Sequence, residues 1–275
     1  MSPFEAILLG LIQGLTEFLP ISSSAHVQIA QELLGLSQIS KPQLTAFIAT
    51  IQIGTELAVV SYFAKTIWEV LRAFFTSGFQ KFSNQPAEAK MGWLIIIGTM
   101  PIVILGLGFQ DLIENQLRQL WIIGVTLIVF GLLLGVADRF AKKIRPIESL
   151  DIKSGLAFGF GQALALIPGV SRSGGSITVG LLLGFTREAA ARYSFLLAIP
   201  AVLASGVYQF AKSYSDLPAD LLLATFAATA VSFVVGYAVI AWLLRDLTKG
   251  SVMPFVIWRV AVGSLLLVGL SAGVL

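Results

Sequence analysis

The chain contains no cysteine, a single histidine and, in 275 residues, only 12% charged side chains. Without cysteine it has no disulfide staple, no thiolate metal site and no thiol redox chemistry. Its charge content is about half that of a soluble globular protein. A soluble fold of this size would have to expose large apolar patches to make up the difference. A net charge of +3 and the scarcity of polar tracts likewise exclude a disordered chain and a nucleic-acid binder. What is abundant is apolar: AVILMFWYC residues are 56% of the chain. These proportions define an all-α polytopic membrane protein, expected to form a single membrane domain over residues 1–275.

A helix crossing a bilayer needs about 20 largely apolar residues. Runs at 44–64, 91–110, 119–137, 193–211, 221–244 and 260–275 meet that need. The first carries Glu56, and the last can be extended backwards to Pro254 only at the cost of Arg259. Glu5 stands where a signal peptide would have a basic region, so none is expected. Two further apolar stretches, 4–19 and 154–167, break at Pro20 and at Pro168-Gly169, run into serines, and resume as short pieces at 27–36 and 177–185. Each half is too short to span. Broken helices at membrane depth are tolerated only where the freed backbone lines a cavity or is buried in protein, so both stretches are expected to be re-entrant helical hairpins.

Cytoplasmic loops collect Lys and Arg. With six crossings, thirteen such residues fall on one side: Lys65, Arg72, Lys81, Lys90, Arg139, Lys142, Lys143, Arg145, Lys153, Arg187, Arg192, Arg245 and Lys249. Three fall on the other: Lys41, Arg118 and Lys212. Both termini and the mouth of the first hairpin are therefore expected to face outward. The segment Gln13–Ala25 also matches Gln162–Gly174 at an offset of 149, pairing Gln13 with Gln162, Ser22 with Ser171 and Ser24 with Ser173. Each half, about 1–137 and 150–275, holds one hairpin and three spans. An odd number of crossings makes the second half inverted, and inverted repeats with discontinuous helices place a polar site near the midplane.

The first break gathers Gln13 and Glu17 on one helical face, then Ser22, Ser23, Ser24 and the only histidine, His26. An intramembrane carboxylate is costly enough to point to function. The second break reads Pro168-Gly169-Val170-Ser171-Arg172-Ser173-Gly174, with Thr178 beyond it. Arg172 presents a planar fork suited to a phosphate. The small residues admit backbone N–H groups at a helix N-terminus, and Ser171, Ser173 and Thr178 add hydroxyls. The plainer account has the serines as helix caps, His26 as a packing residue and Arg172 as a neutralising partner of Glu17. That pair alone explains neither the serines nor the histidine. Phosphate handling on an amphiphilic substrate is the chemistry implied.

These two motifs resemble those of undecaprenyl pyrophosphate phosphatases of the bacitracin-resistance type. One is a Gln/Glu-x-x-x-Glu motif running into Phe-Leu-Pro-x-Ser-Ser-x-x-His, here Gln13 to His26. The other is Pro-Gly-x-Ser-Arg-Ser followed by Thr, here Pro168 to Ser173 with Thr178 one position beyond the expected spacing. The resemblance implies hydrolysis of the C55 lipid pyrophosphate, undecaprenyl pyrophosphate, to the monophosphate, recycling the carrier for peptidoglycan synthesis in the bacterial plasma (inner) membrane. It implies Mg2+ or Ca2+ dependence, with Glu17 and Gln13 near the ion, bacitracin competing for the substrate, and an assembly that a homodimer would satisfy. It also implies Glu17, Ser23, His26 and Arg172 as the catalytic group, with Gln13, Ser22, Ser24, Gly169, Ser171, Ser173, Gly174 and Thr178 around the substrate. Gln13 stands where Glu is common, which weakens a two-carboxylate metal site, and Ala25 where Gly is common. Two routes fit: attack by Ser23 with His26 or Glu17 taking its proton, or attack by a metal-activated water. The rival function is a transporter or flippase for a phosphorylated lipid or anionic solute, which would need anion ligands but no nucleophile.

Overall fold

The computed structural model describes residues 1–36, 39–78, 80–109, 112–113, 116–117, 119–217 and 219–273. The expected span end at Gln110, the outer-side Arg118 and the terminal Leu275 lie outside the described residues. Among the described residues there are eleven α-helices: α1 Pro3–Thr16, α2 Ser23–Leu33, α3 Lys41–Tyr62, α4 Ala64–Ser77, α5 Ala87–Gly108, α6 Leu120–Phe140, α7 Ile152–Ala163, α8 Arg172–Leu182, α9 Arg187–Ser213, α10 Leu222–Asp246 and α11 Met253–Ser271. Six of them, α3, α5, α6, α9, α10 and α11, are long and apolar enough to cross a membrane. They fall on the six expected runs. Their outward faces carry large apolar side chains such as Leu107, Phe140 and Leu223, which suits lipid rather than water.

The two broken stretches form pairs of short helices, α1 with α2 and α7 with α8, packed against each other. In both pairs the second helix starts at the tip serines or arginine rather than at the apolar run. Ser22 precedes α2 with φ 77° and Ser171 precedes α8 with φ 72°. Ser171 caps α8 by accepting from the Gly174 N–H at 3.1 Å, whereas the Ser22 side chain caps nothing and instead lies 3.2 Å from the Ser24 hydroxyl. The helix-cap account of the serines thus holds at one tip and not at the other.

Close helix approach repeats with the same spacing. A Cβ built on Gly10 of α1 would lie 2.3 Å from the Ala228 carbonyl oxygen of α10. One on Gly159 of α7 would lie 2.2 Å from the Gly98 carbonyl oxygen of α5. Only glycine admits backbone this near. At the interior, α3 packs on α9 and α6 on α11, around a core that includes Phe18, Phe63, Phe158, Tyr193 and Phe195.

The segment carrying Lys65 and Arg72, expected as loop, is the helix α4. Ile67, Trp68, Leu71, Phe74 and Phe75 recur at helical spacing while Lys65, Glu69 and Arg72 take the other face. That pattern suits a helix lying in a membrane interface. At the same end of the molecule Asp138, at the end of α6, accepts from Arg187 Nε at 2.5 Å and from the Ser251 hydroxyl at 2.8 Å, tying α6 to the start of α9 and the approach to α11.

Candidate active site

The two tips meet. Glu17 ends α1, and its Oε1 accepts from Arg172 Nη2 at the first residue of α8. Its Oε2 accepts from the Ser23 hydroxyl at 2.6 Å and from Gln13 Nε2 at 2.9 Å. The Glu17 side chain is 9% exposed and that of Arg172 22%, so the pair sits in a poorly hydrated environment where charge-assisted bonds are strong. A second cross-tip bond runs from the Ser173 hydroxyl to the Leu19 carbonyl at 3.1 Å. Gln13 also donates to Thr55 on α3 at 3.3 Å, which fixes the α1 face against that helix.

The expected residues do not all point the same way. Gln13, Glu17, Ser23 and Arg172 form one connected group, and Ser173 lines the same cavity. Ser22 and Ser24 bond to one another, as do Ser171 and Ser173, each pair at 3.2 Å. Gly169 takes φ 94° beside α6, and Gly174 lies in the first turn of α8. The Thr178 hydroxyl is spent on the Gly174 carbonyl of its own helix at 2.7 Å. His26 turns away from Ser23: its Nδ1 meets the Ser22 carbonyl at 2.8 Å, and its Nε2 accepts from the Trp258 indole N–H at 2.7 Å. An Nε2 that accepts leaves the proton on Nδ1. The carboxylate in contact with the Ser23 hydroxyl is therefore Glu17, and His26 supports the turn at Ser22.

Four contributors were not anticipated or were left without a role. Glu56 of α3 is buried and lines the same narrow cavity as Glu17, Arg172, Ser173, Ser194 and Phe195. Its carboxylate abuts Gly206 of α9, where a Cβ would lie 2.3 Å from both oxygens. Ser176 bonds to Ser194 at 2.5 Å behind Arg172. Trp258 orients His26, and Arg259, by sequence only a cost to the last span, is fully buried beneath both tips. Glu56 and Arg259 carried a readable signal, since both are ionisable groups inside apolar spans. Trp258 and Ser176 carried none. Gln162, the repeat partner of Gln13, is fully buried with neither side-chain polar atom bonded, so the repeat equips only one of its two halves with a carboxylate network.

The cavity is about 10 Å³, room for about one water. Its polar wall comes from Glu17, Glu56 and Arg172, and its apolar wall from Phe18, Val59, Phe195 and Val202. The Glu17 carboxylate occupies the Arg172 fork. Among the described residues no group of three or more His, Cys, Asp or Glu is placed to hold a metal. The oxygen donors present, two carboxylates and an amide, match in kind the one or two carboxylates plus substrate phosphates by which Mg2+ is usually held.

The family described as bacitracin resistance protein BacA matches residues 6–265 of the chain. A protein of Kineococcus radiotolerans named undecaprenyl-diphosphatase is 54% identical, the match covering 95% of this chain and 91% of that one. One of the same name from Nocardioides sp. is 52% identical over 98% and 97% of the two chains. Undecaprenyl-diphosphatase 2 of Agrobacterium fabrum is 52% identical over 100% and 98%.

Proposed function

The chain belongs to the bacitracin resistance protein BacA family, and from that premise we propose that its crossed tips hydrolyse undecaprenyl diphosphate to undecaprenyl phosphate and inorganic phosphate. It is a membrane-embedded hydrolase, and the transporter reading is not favoured by relatives that carry the diphosphatase name over their whole length. The observation that carries the mechanism is one carboxylate, Glu17, bonded at once to a serine hydroxyl and to an arginine fork.

A nucleophile and base within 2.6–3.2 Å is the usual mark of an activated serine. As Ser23 Oγ bonds to the terminal phosphorus, its proton passes to Glu17 and the bridging P–O bond breaks, freeing undecaprenyl phosphate. Water then attacks the phosphoserine, the Oγ–P bond breaks as Oγ recovers its proton from Glu17, and inorganic phosphate leaves. Arg172, the Ser171 and Ser173 hydroxyls and the α8 N-terminus face the charge that spreads over the phosphoryl oxygens, the largest usual catalytic term. Substrate enters by taking the Arg172 fork from Glu17. That exchange also frees the carboxylate to accept a proton. His26 and Trp258 keep the Ser22 turn in place, and the apolar wall of Val59, Phe195 and Val202 receives the first isoprenoid carbons.

Glu17, Glu56 and Gln13 would hold a Mg2+ or Ca2+ ion. Bound there, it would supply positive charge against the pyrophosphate. The two broken helix pairs are proposed as re-entrant hairpins in an inverted repeat. Support comes from α2 and α8, which begin and end 149 residues apart, and from the equivalent glycine contacts at Gly10 and Gly159. The thirteen-to-three distribution of Lys and Arg supports an active site opening to the outer face of the bacterial inner membrane, where carrier used in peptidoglycan synthesis is released and bacitracin competes for the lipid. The test is phosphate release from undecaprenyl pyrophosphate by the purified chain. Release that is lost in Glu17→Gln and Ser23→Ala supports the reading, and wild-type protein that releases none overturns it.

A further inference from the structure

Besides Trp258, which holds His26, α11 carries the most deeply buried charged side chain among the described residues. Arg259 is 0% exposed, and each of its three guanidinium nitrogens donates to main-chain carbonyls. Nε donates to Leu127 at 3.2 Å, Nη1 to Pro20 at 3.0 Å and Val170 at 2.9 Å, and Nη2 to Gly169 at 2.9 Å and Thr126 at 3.4 Å. Pro20 belongs to the first tip, Gly169 and Val170 to the second, and Thr126 and Leu127 to α6. Five bonds match the five donors of the arginine fork. Among the described residues no carboxylate lies within ion-pair distance of it. Its partners are the backbone of both broken helices, at the level where those helices cross.

We propose that Arg259 is a positioning residue for the hydrolysis, locking the two tips so that Ser23 and Glu17 from one and Arg172 from the other converge on the same phosphate. The inference rests on the reading of the site given above. Its physical basis is the planar peptide, in which C=O and N–H point in opposite directions. By drawing the Val170 carbonyl to itself, Arg259 turns the Ser171 N–H to the opposite side. Carbonyl oxygens turned toward the substrate would repel phosphate. Held on the far side, they leave N–H groups and hydroxyls to face it, the arrangement of an anion-binding nest. A lysine, with three donors on a compact ammonium, keeps the charge but cannot bridge three segments in one plane.

Catalytic groups misplaced by about 1 Å cost on the order of 100-fold in rate, so the loss should appear in kcat rather than KM. Arg259→Lys is expected to lower kcat by about 10- to 100-fold with KM within about threefold. Gly131→Ala provides a second variant that leaves every site group intact: on α6 its Cβ would press within 3.0 Å of the Arg259 Cβ. Alanine favours a helix interior over glycine, so a several-fold loss of kcat in a protein no less stable marks displaced tips rather than a weakened fold. Because the chain has no cysteine, spin labels at Leu33→Cys and Leu182→Cys report the separation of α2 and α8 without any assay of activity. The expected result is one narrow distance in the parent protein and a shifted or broadened one in both variants. Unchanged distance and unchanged kcat per folded molecule, with only a lower unfolding temperature, would overturn the proposal. If Arg259→Lys does not fold, Gly131→Ala decides by the same two readouts. A parent protein that releases no phosphate fails the hydrolase reading, while the label distances still decide whether Arg259 locks the tips.

Discussion

Glu17 serves three donors through two oxygens, and each of them reads differently on removal. If Ser23 attacks phosphorus while Glu17 takes its proton, Ser23→Ala and Glu17→Gln each remove most turnover. The double variant then loses little more, because groups that act as a unit are strongly non-additive. A Ser23→Ala protein that still turns over rapidly would end the serine route and leave water as the attacking group. Arg172→Lys keeps a cation beside Glu17 but loses the bidentate fork. We expect it to fold, with turnover down by several tens-fold on the general scale of such losses. Near-normal phosphate release would make Arg172 structural. The single histidine makes a spectroscopic check clean. Nitrogen-15 spectra of the parent should show the Nδ1–H tautomer, and Trp258→Phe, which keeps an aromatic ring against the imidazole but removes the 2.7 Å donor, should mix the two tautomers. An unchanged spectrum would mean that the indole does not set the tautomer.

Among elements, the broken helices were legible because proline, glycine and serine punctuate otherwise apolar runs, and the six spans because length and hydropathy suffice. The amphipathic α4 shows in the spacing of its apolar residues, but at 14 residues it is too short to span, so length and hydropathy alone leave it among the loops. The place of Arg259 could not be read. Its partners are carbonyls up to 239 residues away, and main-chain acceptors leave no trace in side-chain identity. The pairing of Ser23 with Glu17 rather than with His26 had the same origin. Spacing along α2 allows Ser23 and His26 to share a face, but the turn at Ser22, with its positive φ, aims the hydroxyl back at the end of α1. Helix packing supplies its own prediction. Gly10→Ala and Gly159→Ala each force a methyl onto a carbonyl oxygen of the neighbouring helix, and overpacking of this kind costs about 1–3 kcal/mol. Thermal unfolding in detergent should show both destabilised. Equal stability in either variant would mean that the helices part there at little cost.

At the scale of the whole molecule, the substrate sets the architecture. A pyrophosphate on a long isoprenoid keeps its tail in lipid, so a site reached from the bilayer must hold charge below the surface without leaving it unpaired. Crossed short helices do this. Each pair brings a helix N-terminus and small residues to the place where the tips meet, among the long apolar helices. The second pair of short helices contributes Arg172 and the first Glu17 and Ser23, so neither pair completes the bonded group alone. The face proposed for the site rests on charge. Thirteen of the Lys and Arg residues fall in segments expected on one side of the membrane and three in segments expected on the other, and short loops rich in these residues stay in the cytoplasm. Cysteines introduced at Ser2 and Asn84, both exposed and at the two expected faces, should then behave oppositely in intact cells. An impermeant thiol reagent added outside should modify the cysteine at position 2 and spare the one at position 84 until the membrane is opened. The opposite pattern would place the mouth of the first helix pair in the cytoplasm, where the enzyme would meet its lipid only after that lipid had been carried inward.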